Sequence, residues 1–310
     1  MAAEPGLLTL LLGTIVLRPY VFGFLAAYLV ASTVQFGLKR TLSFAVLGYL
    51  VVFLSEYSST RTGFPYGFYY YLDTTRQQEL WISNVPFMDS LSFVFLAYAS
   101  YATALVLCAP LWAARFDLQV ADTKAIRRSP AVLVLTILFF VYIDVVIDPL
   151  ALRGSRWFLG QIYGYYEDGI YFGVPVANFV GWGLVGIALV FLHRWLDGVY
   201  RAGPQQRRDW GVCWVPYRGL LGSMLYLGVY GFNVYMTFAI REYLLGLVDL
   251  LLFLPICVFA ILHVLRPVHR ATPADLEAHC RDFPFSPLTR LRTVPRPVRL
   301  ETEINVIPPG

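Results

Sequence analysis

The chain has 310 residues, of which 58% are hydrophobic and only 14% charged, with a formal net charge of +4. A soluble domain devotes roughly a quarter of its residues to charge, so these values exclude an ordinary soluble enzyme and point to several membrane spans. The cations sit in connections between apolar segments and form no basic groove with interleaved aromatics, which excludes a nucleic-acid partner.

A hydrocarbon core about 30 Å thick needs roughly 20 apolar residues per helix. Leu7–Leu17 is apolar but too short to span alone, and it breaks at Arg18 and Pro19. No Lys or Arg precedes it, so it is not read as a signal peptide; an interfacial helix or the start of a tilted first span is expected. Seven longer segments qualify: residues 20–38, 42–55, 87–112, 131–150, 171–195, 220–240 and 243–265, the second of them short. The expected fold is all-α, a polytopic bundle of about seven transmembrane helices, or eight if the N-terminal stretch crosses. Residues 1–266 form the helical transmembrane domain. Residues 267–310, with repeated Pro and Arg and no strong periodicity, are expected as a cytoplasmic tail that is at least partly disordered.

Cations set the orientation. Lys39 and Arg40; Arg115, Lys124, Arg127 and Arg128; Arg194, Arg201, Arg207, Arg208 and Arg218; and the tail occupy alternate connections. The other connections hold only Arg61, Arg76, Arg153, Arg156 and Arg241. The positive-inside rule assigns the rich set, and with it the C-terminus, to the cytoplasm.

That orientation gathers polar residues at the opposite face. Asp144 and Asp148 close the fourth span four residues apart, so one helix face carries both, and ionisable groups at membrane depth are functional candidates by default. Glu56 ends the second span, Asp89 starts the third, Asn178 starts the fifth, and the tyrosine run Tyr69, Tyr70 and Tyr71 lies in a connection on the same side. The competing reading is an aromatic belt at the interface with acids neutralised by Arg61, Arg153 or Arg156. Asp148 before Pro149 also fits a plain helix end, and Asn178 fits interhelical hydrogen bonding. Asp249, in the last span, has no assigned role.

The only histidines, His193, His263, His269 and His279, are scattered, which argues against a membrane di-iron hydroxylase. The last span has no lysine for a retinal Schiff base. Cys108, Cys213, Cys257 and Cys280 show no metal or disulfide spacing, and no Gly-rich phosphate loop or dinucleotide fingerprint occurs. The expectation is chemistry without metal or cofactor, from carboxylates, tyrosines, amides and water.

Glu56, the run from Gly63 to Tyr71, the run Asn84 to Ser90, Asp144 to Pro149, and Tyr171 to Trp182 with its Gly-Val-Pro, Asn-Phe and Gly-Trp pairs resemble the integral-membrane carotenoid hydratases of the CruF type, a carotenoid biosynthesis protein family. The resemblance covers about residues 20–265. It implies addition of water to the terminal C1=C2 double bond of an acyclic carotene end group, with the carotene in the bilayer and water as reactants. It also implies a bacterial inner membrane and other enzymes of the same pathway as candidate partners. It supplies no catalytic residue.

The residues themselves suggest the division of labour. Two neighbouring carboxyls near hydrocarbon share a proton, which makes Asp144 or Asp148 the expected acid, with Glu56 or Asp89 as base or supporting partner. Tyr69, Tyr70, Tyr71, Tyr171, Phe172 and Trp182 are expected to line the end-group pocket, where aromatic faces attract a cation, and Asn178 to hold the water. Cyclisation of a lycopene-type end group starts from the same protonation and is an alternative, as is a non-catalytic carotenoid-binding protein. A prenyltransferase needs a second aspartate cluster, which the sequence lacks.

Overall fold

A computed structural model describes residues 5–200, 215–284 and 286–289. α1 (Leu7–Leu17) is separated by Arg18 from α2 (Pro19–Phe36), whose first-turn proline sits where a missing N–H costs nothing. Gly37, at φ 91°, breaks the chain for one residue before α3 (Leu38–Thr62), which closes on Gly63 in the left-handed region. β1 (Tyr69–Tyr71), β2 (Trp81–Ile82) and β3 (Val85–Pro86) lie in the connection to α4 (Phe87–Cys108). A hairpin of β4 (Leu111–Ala114) and β5 (Asp117–Val120) and the short α5 (Lys124–Arg128) lead to α6 (Pro130–Ala151). β6 (Tyr163–Tyr165), α7 (Val176–Val199), α8 (Leu221–Ala239), α9 (Tyr243–Leu265) and α10 (Pro273–Asp282) follow.

The protein is an all-α polytopic bundle. Among the described residues six helices, α2, α3, α4, α6, α7 and α9, are long and apolar enough to cross a membrane. α8 forms over the remaining expected span, but its tyrosines, asparagine, serine and glycines make it less apolar. α4 is the hub, packed against α2, α3, α6, α7 and α8 and buried almost all round. Its Ala97, Ala99, Ser100, Ala102 and Ala104 let neighbours approach closely. α9 is peripheral and packs chiefly on α8.

Several boundaries differ from the sequence expectation. The second span is not short: α3 runs 25 residues, because its polar last turns are satisfied locally, Ser59 Oγ donating to Gly67 O at 2.8 Å and Arg61 to Tyr57 O at 3.0 Å. The third span stops at Cys108 rather than residue 112. Pro110 forces Ala109 into extended backbone (φ −104°, ψ 150°), and Trp112 pairs in a hairpin instead. The fifth starts at Val176, because Phe172 and Gly173 take positive φ and Pro175 opens the helix. α6, whose N-cap Ser129 accepts from Val132 N, passes through Pro149 and ends at Ala151, so Asp148 lies inside the helix.

The segment assigned to the tail begins folded. Thr272 and Asp275 form a capping box on α10, and His279 Nδ1 lies 2.6 Å from Asp122 O. Arg201, Arg207, Arg208, Cys213 and residues 290–310 lie outside the described residues. At this basic end Arg127 bonds Asp122 (2.5 Å) and Asp197 (2.8 Å), and Arg40 also reaches Asp197, tying α3, α5 and α7 together.

Candidate active site

At the other end, the α3–α4 and α6–α7 connections fold over the bundle as a roof. Arg18, fully buried between α1 and α2, clamps it by donating to Glu79 (Nε 3.1 Å, Nη2 2.9 Å) and to the carbonyl of Leu159. β1 and β6 pair antiparallel, Tyr69 opposite Tyr165 and Tyr71 opposite Tyr163. Alternation along a strand sends these four rings to one face, where they pack edge to face, Tyr69 on Tyr71 at 5.3 Å and on Tyr163 at 6.3 Å. Tyr70 points the other way, exposed and against Tyr166.

Beneath this four-tyrosine face lies a chamber of about 120 Å³, lined by Glu56 of α3, Asp89 of α4, Asp148 of α6, Asn178 and Trp182 of α7, and the four rings. Two carboxylate stations share it. In one, Asn178 Nδ2 donates to Asp144 Oδ2 at 2.7 Å and to Asp148 Oδ2 at 2.9 Å, while Tyr165 (2.5 Å) and Tyr163 also donate to Asp148. In the other, Tyr71 donates to Asp89 at 2.6 Å and Ser90 to Glu56. Burial, and then the charges of Asp148 and Asp89 respectively, push the phenols of Tyr163, Tyr165 and Tyr71 above their ordinary range. Those hydroxyls therefore stay protonated and act as donors.

Asp148 opens into the chamber, whereas Asp144 lies behind it, fully buried, with Oδ1 unpartnered. Trp182 stacks on Phe93 at 4.1 Å, the two making an apolar wall that Phe140 backs. The arginines of the competing reading are engaged elsewhere: Arg61 with Asn84 (2.7 Å), Arg153 and Arg156 with Glu242.

The structure thus brings together Glu56, Asp89, Asp148, Asn178, Tyr69, Tyr71 and Trp182, with Asp144 behind. Tyr70, Tyr171 and Phe172 do not line the chamber. Tyr70 is on the wrong strand face, Tyr171 packs on Phe172 and Phe179, and Phe172 is turned by its positive φ so that its carbonyl accepts from Arg153. Sequence reasoning missed Tyr163, Tyr165, Ser90 and Glu79. The signal for the two tyrosines is the alternation Tyr163, Gly164, Tyr165, which mirrors Tyr69 to Tyr71. Gly164 is small because a Cβ there would meet the Tyr70 hydroxyl at 2.8 Å.

Fold and site together define a polytopic helical membrane protein with a chamber of acids and tyrosines at one end. A family model described as carotenoid biosynthesis protein matches residues 6–253, which include every chamber residue and stop short of the tail. The chain belongs to the carotenoid biosynthesis protein family. No curated protein and no solved structure matches it.

Proposed function

We propose that the protein hydrates the terminal C1=C2 double bond of an acyclic carotene end group to a tertiary alcohol, as a carotenoid 1,2-hydratase. The observation that carries this reading is one apolar, aromatic-walled chamber into which three helices each deliver a carboxylate, in a member of a carotenoid biosynthesis family.

Hydration of a trisubstituted alkene needs an acid, a site that tolerates a tertiary cation, and water on the cation side. Asp144 and Asp148, joined through one amide, hold a proton between them. Asp148, the member facing the chamber, gives it to C2, the π electrons forming the new C–H bond and leaving the cation at C1. The faces of Tyr69, Tyr163, Phe93 and Trp182 stabilise that cation by about 2 kcal/mol or more when desolvated. Water bonds to C1 through oxygen and passes a proton to the opposite station, where Asp89 and Glu56 serve as base. Asn178 spends its N–H groups on the two aspartates, which leaves its carbonyl oxygen to orient the water. The proton taken up by that station returns across the chamber to Asp144 and Asp148 and resets the acid, so the sum is alkene plus water, with no cofactor. The density of acids and hydroxyls on the chamber wall favours hydration over cyclisation, whose cation must be kept dry.

The test is pigment analysis by chromatography and mass spectrometry in a bacterium that accumulates lycopene. A more polar pigment heavier by one water is expected. An isomer of unchanged mass would replace the reading by cyclisation, and unaltered pigment beside a well-inserted protein would replace it by binding alone.

A further inference from the structure

The chamber has two arms of opposite character. The acids and tyrosines line one; the other is mostly apolar, formed by Tyr20, Val21 and Phe24 of α2, Val229 and Phe232 of α8, and Trp157 of the roof, with Asn233 of α8 as its polar member. Tyr20 stacks on Phe232 (5.4 Å, 17°), Phe24 meets Phe232 edge-on at 5.8 Å, and Trp157 touches both Tyr20 and Phe232. Tyr20, Phe24, Phe232 and Trp157 are each only half-buried, so this collar has one side in the chamber and one facing out between α2 and α8.

The seam outside the collar is open and apolar. Gly23 on α2 and Gly228 and Gly231 on α8 have nothing within 4 Å of where a Cβ would stand, and all three are exposed. Other seams carry polar cross-links: Asn178 joins α7 to α6, Ser90 joins α4 to α3, and Tyr28 and Ser32 join α2 to α3. Among the described residues no hydrogen bond or ion pair joins α2 to α8, so the seam parts without stranding a polar group in hydrocarbon.

A chamber of about 120 Å³ holds an end group and not a long conjugated chain, whose remainder must leave by an apolar route. From this geometry we infer that the α2–α8 seam is the binding site for the linear polyene stem of the substrate and the passage by which its end group enters from the bilayer. The inference rests on the proposed function only for the substrate class. Flat rings and a flat polyene gain many weak dispersion contacts, and the collar would select slender, extended isoprenoid chains.

The test reads binding rather than turnover. Purified protein in lipid nanodiscs is loaded with lycopene, and retained pigment is measured by visible absorbance. Gly23→Leu with Gly228→Leu, the latter four residues from Phe232 on the same face of α8, narrows the seam and is expected to lower retention about tenfold or more, while Gly198→Leu, at an equally open position on the basic end of α7, leaves it unchanged. Phe232→Ala removes bulk instead of adding it, so it keeps the test decisive if the leucines disturb folding; about tenfold weaker retention is again expected. Retention at the wild-type level in both seam variants would overturn the inference, as would a wild type that holds no polyene. A wild type that binds lycopene through the seam and leaves it chemically unaltered would overturn the hydratase reading alone.

Discussion

Asp148 holds the most exacting position in the chamber, receiving hydrogen bonds from Tyr163, Tyr165 and Asn178 while facing the cavity. If it delivers the proton, Asp148→Asn lowers product yield by about 100-fold or more with insertion unaffected, measured as hydrated pigment per unit of membrane protein. Asp144 does not line the chamber and in this reading serves only as the partner with which Asp148 shares the proton, so Asp144→Asn is expected to leave a residual rate above that of Asp148→Asn. Tyr165→Phe removes one of three donors to Asp148, and a partial loss is the expected outcome; an undiminished rate in Asp148→Asn would sink the assignment of the acid. The spacing of the two aspartates made this pair legible in the sequence. Their different access was not, because it depends on how α6 is rotated against α7.

Between the helices, close approach is set by small residues at a few contacts. A Cβ on Gly181 would meet Pro65 O and Tyr66 Cα at 2.7 Å, both of them backbone-bound, so α7 is held against the roof by the absence of a side chain. Gly181→Val therefore pushes α7 outward and carries Asn178 and Trp182 with it. A loss of about 1–3 kcal/mol is expected, measured as a lower melting temperature together with reduced product. Gly186, whose Cβ would stand 3.0 Å from the Phe140 ring, has a partner that can yield, and Gly186→Ala is expected to be milder. Apolar run lengths located every long helix, but proline and glycine backbone at Pro110, Gly173 and Pro175 moved two of the ends. The pairing of β1 with β6 joins segments about ninety residues apart, beyond any local signal.

Across the whole molecule, the buried ion-pair network and the chamber of acids and tyrosines sit at opposite ends. The basic end is held by the buried network of Arg40, Arg127, Asp197 and Asp122, against which α10 docks through His279. Arg127→Ala removes the guanidinium from the buried Asp122 and leaves Asp197 with Arg40 alone; it is expected to cost about 3–5 kcal/mol without changing the identity of the product, which separates a structural role from a catalytic one. Burial works to raise the Asp122 carboxyl, but Arg127 and His279 outweigh it and hold the group below its ordinary range. Its contribution to stability is therefore present above the unfolded value, about 3.9, and is lost as pH falls through the lower folded value. Thermal melts from pH 7 downward are expected to show the wild type losing stability below about pH 4, with Asp122→Asn already less stable and flatter over that range.

The sequence by itself determined that this chain is a helical membrane protein and that acids cluster at one end of it. Both follow from the cost of putting charge and unpaired backbone into hydrocarbon, which leaves a mark on every span whatever its neighbours. Only the tertiary structure decided that Asp148 and not Asp144 faces the chamber, that Tyr163 and Tyr165 complete a cage with Tyr69 and Tyr71 while Tyr70 turns away, and that the chamber reaches a seam between α2 and α8. Those facts depend on helix rotation and on the pairing of distant segments, which hydrophobic burial rewards without specifying them in any one stretch of chain.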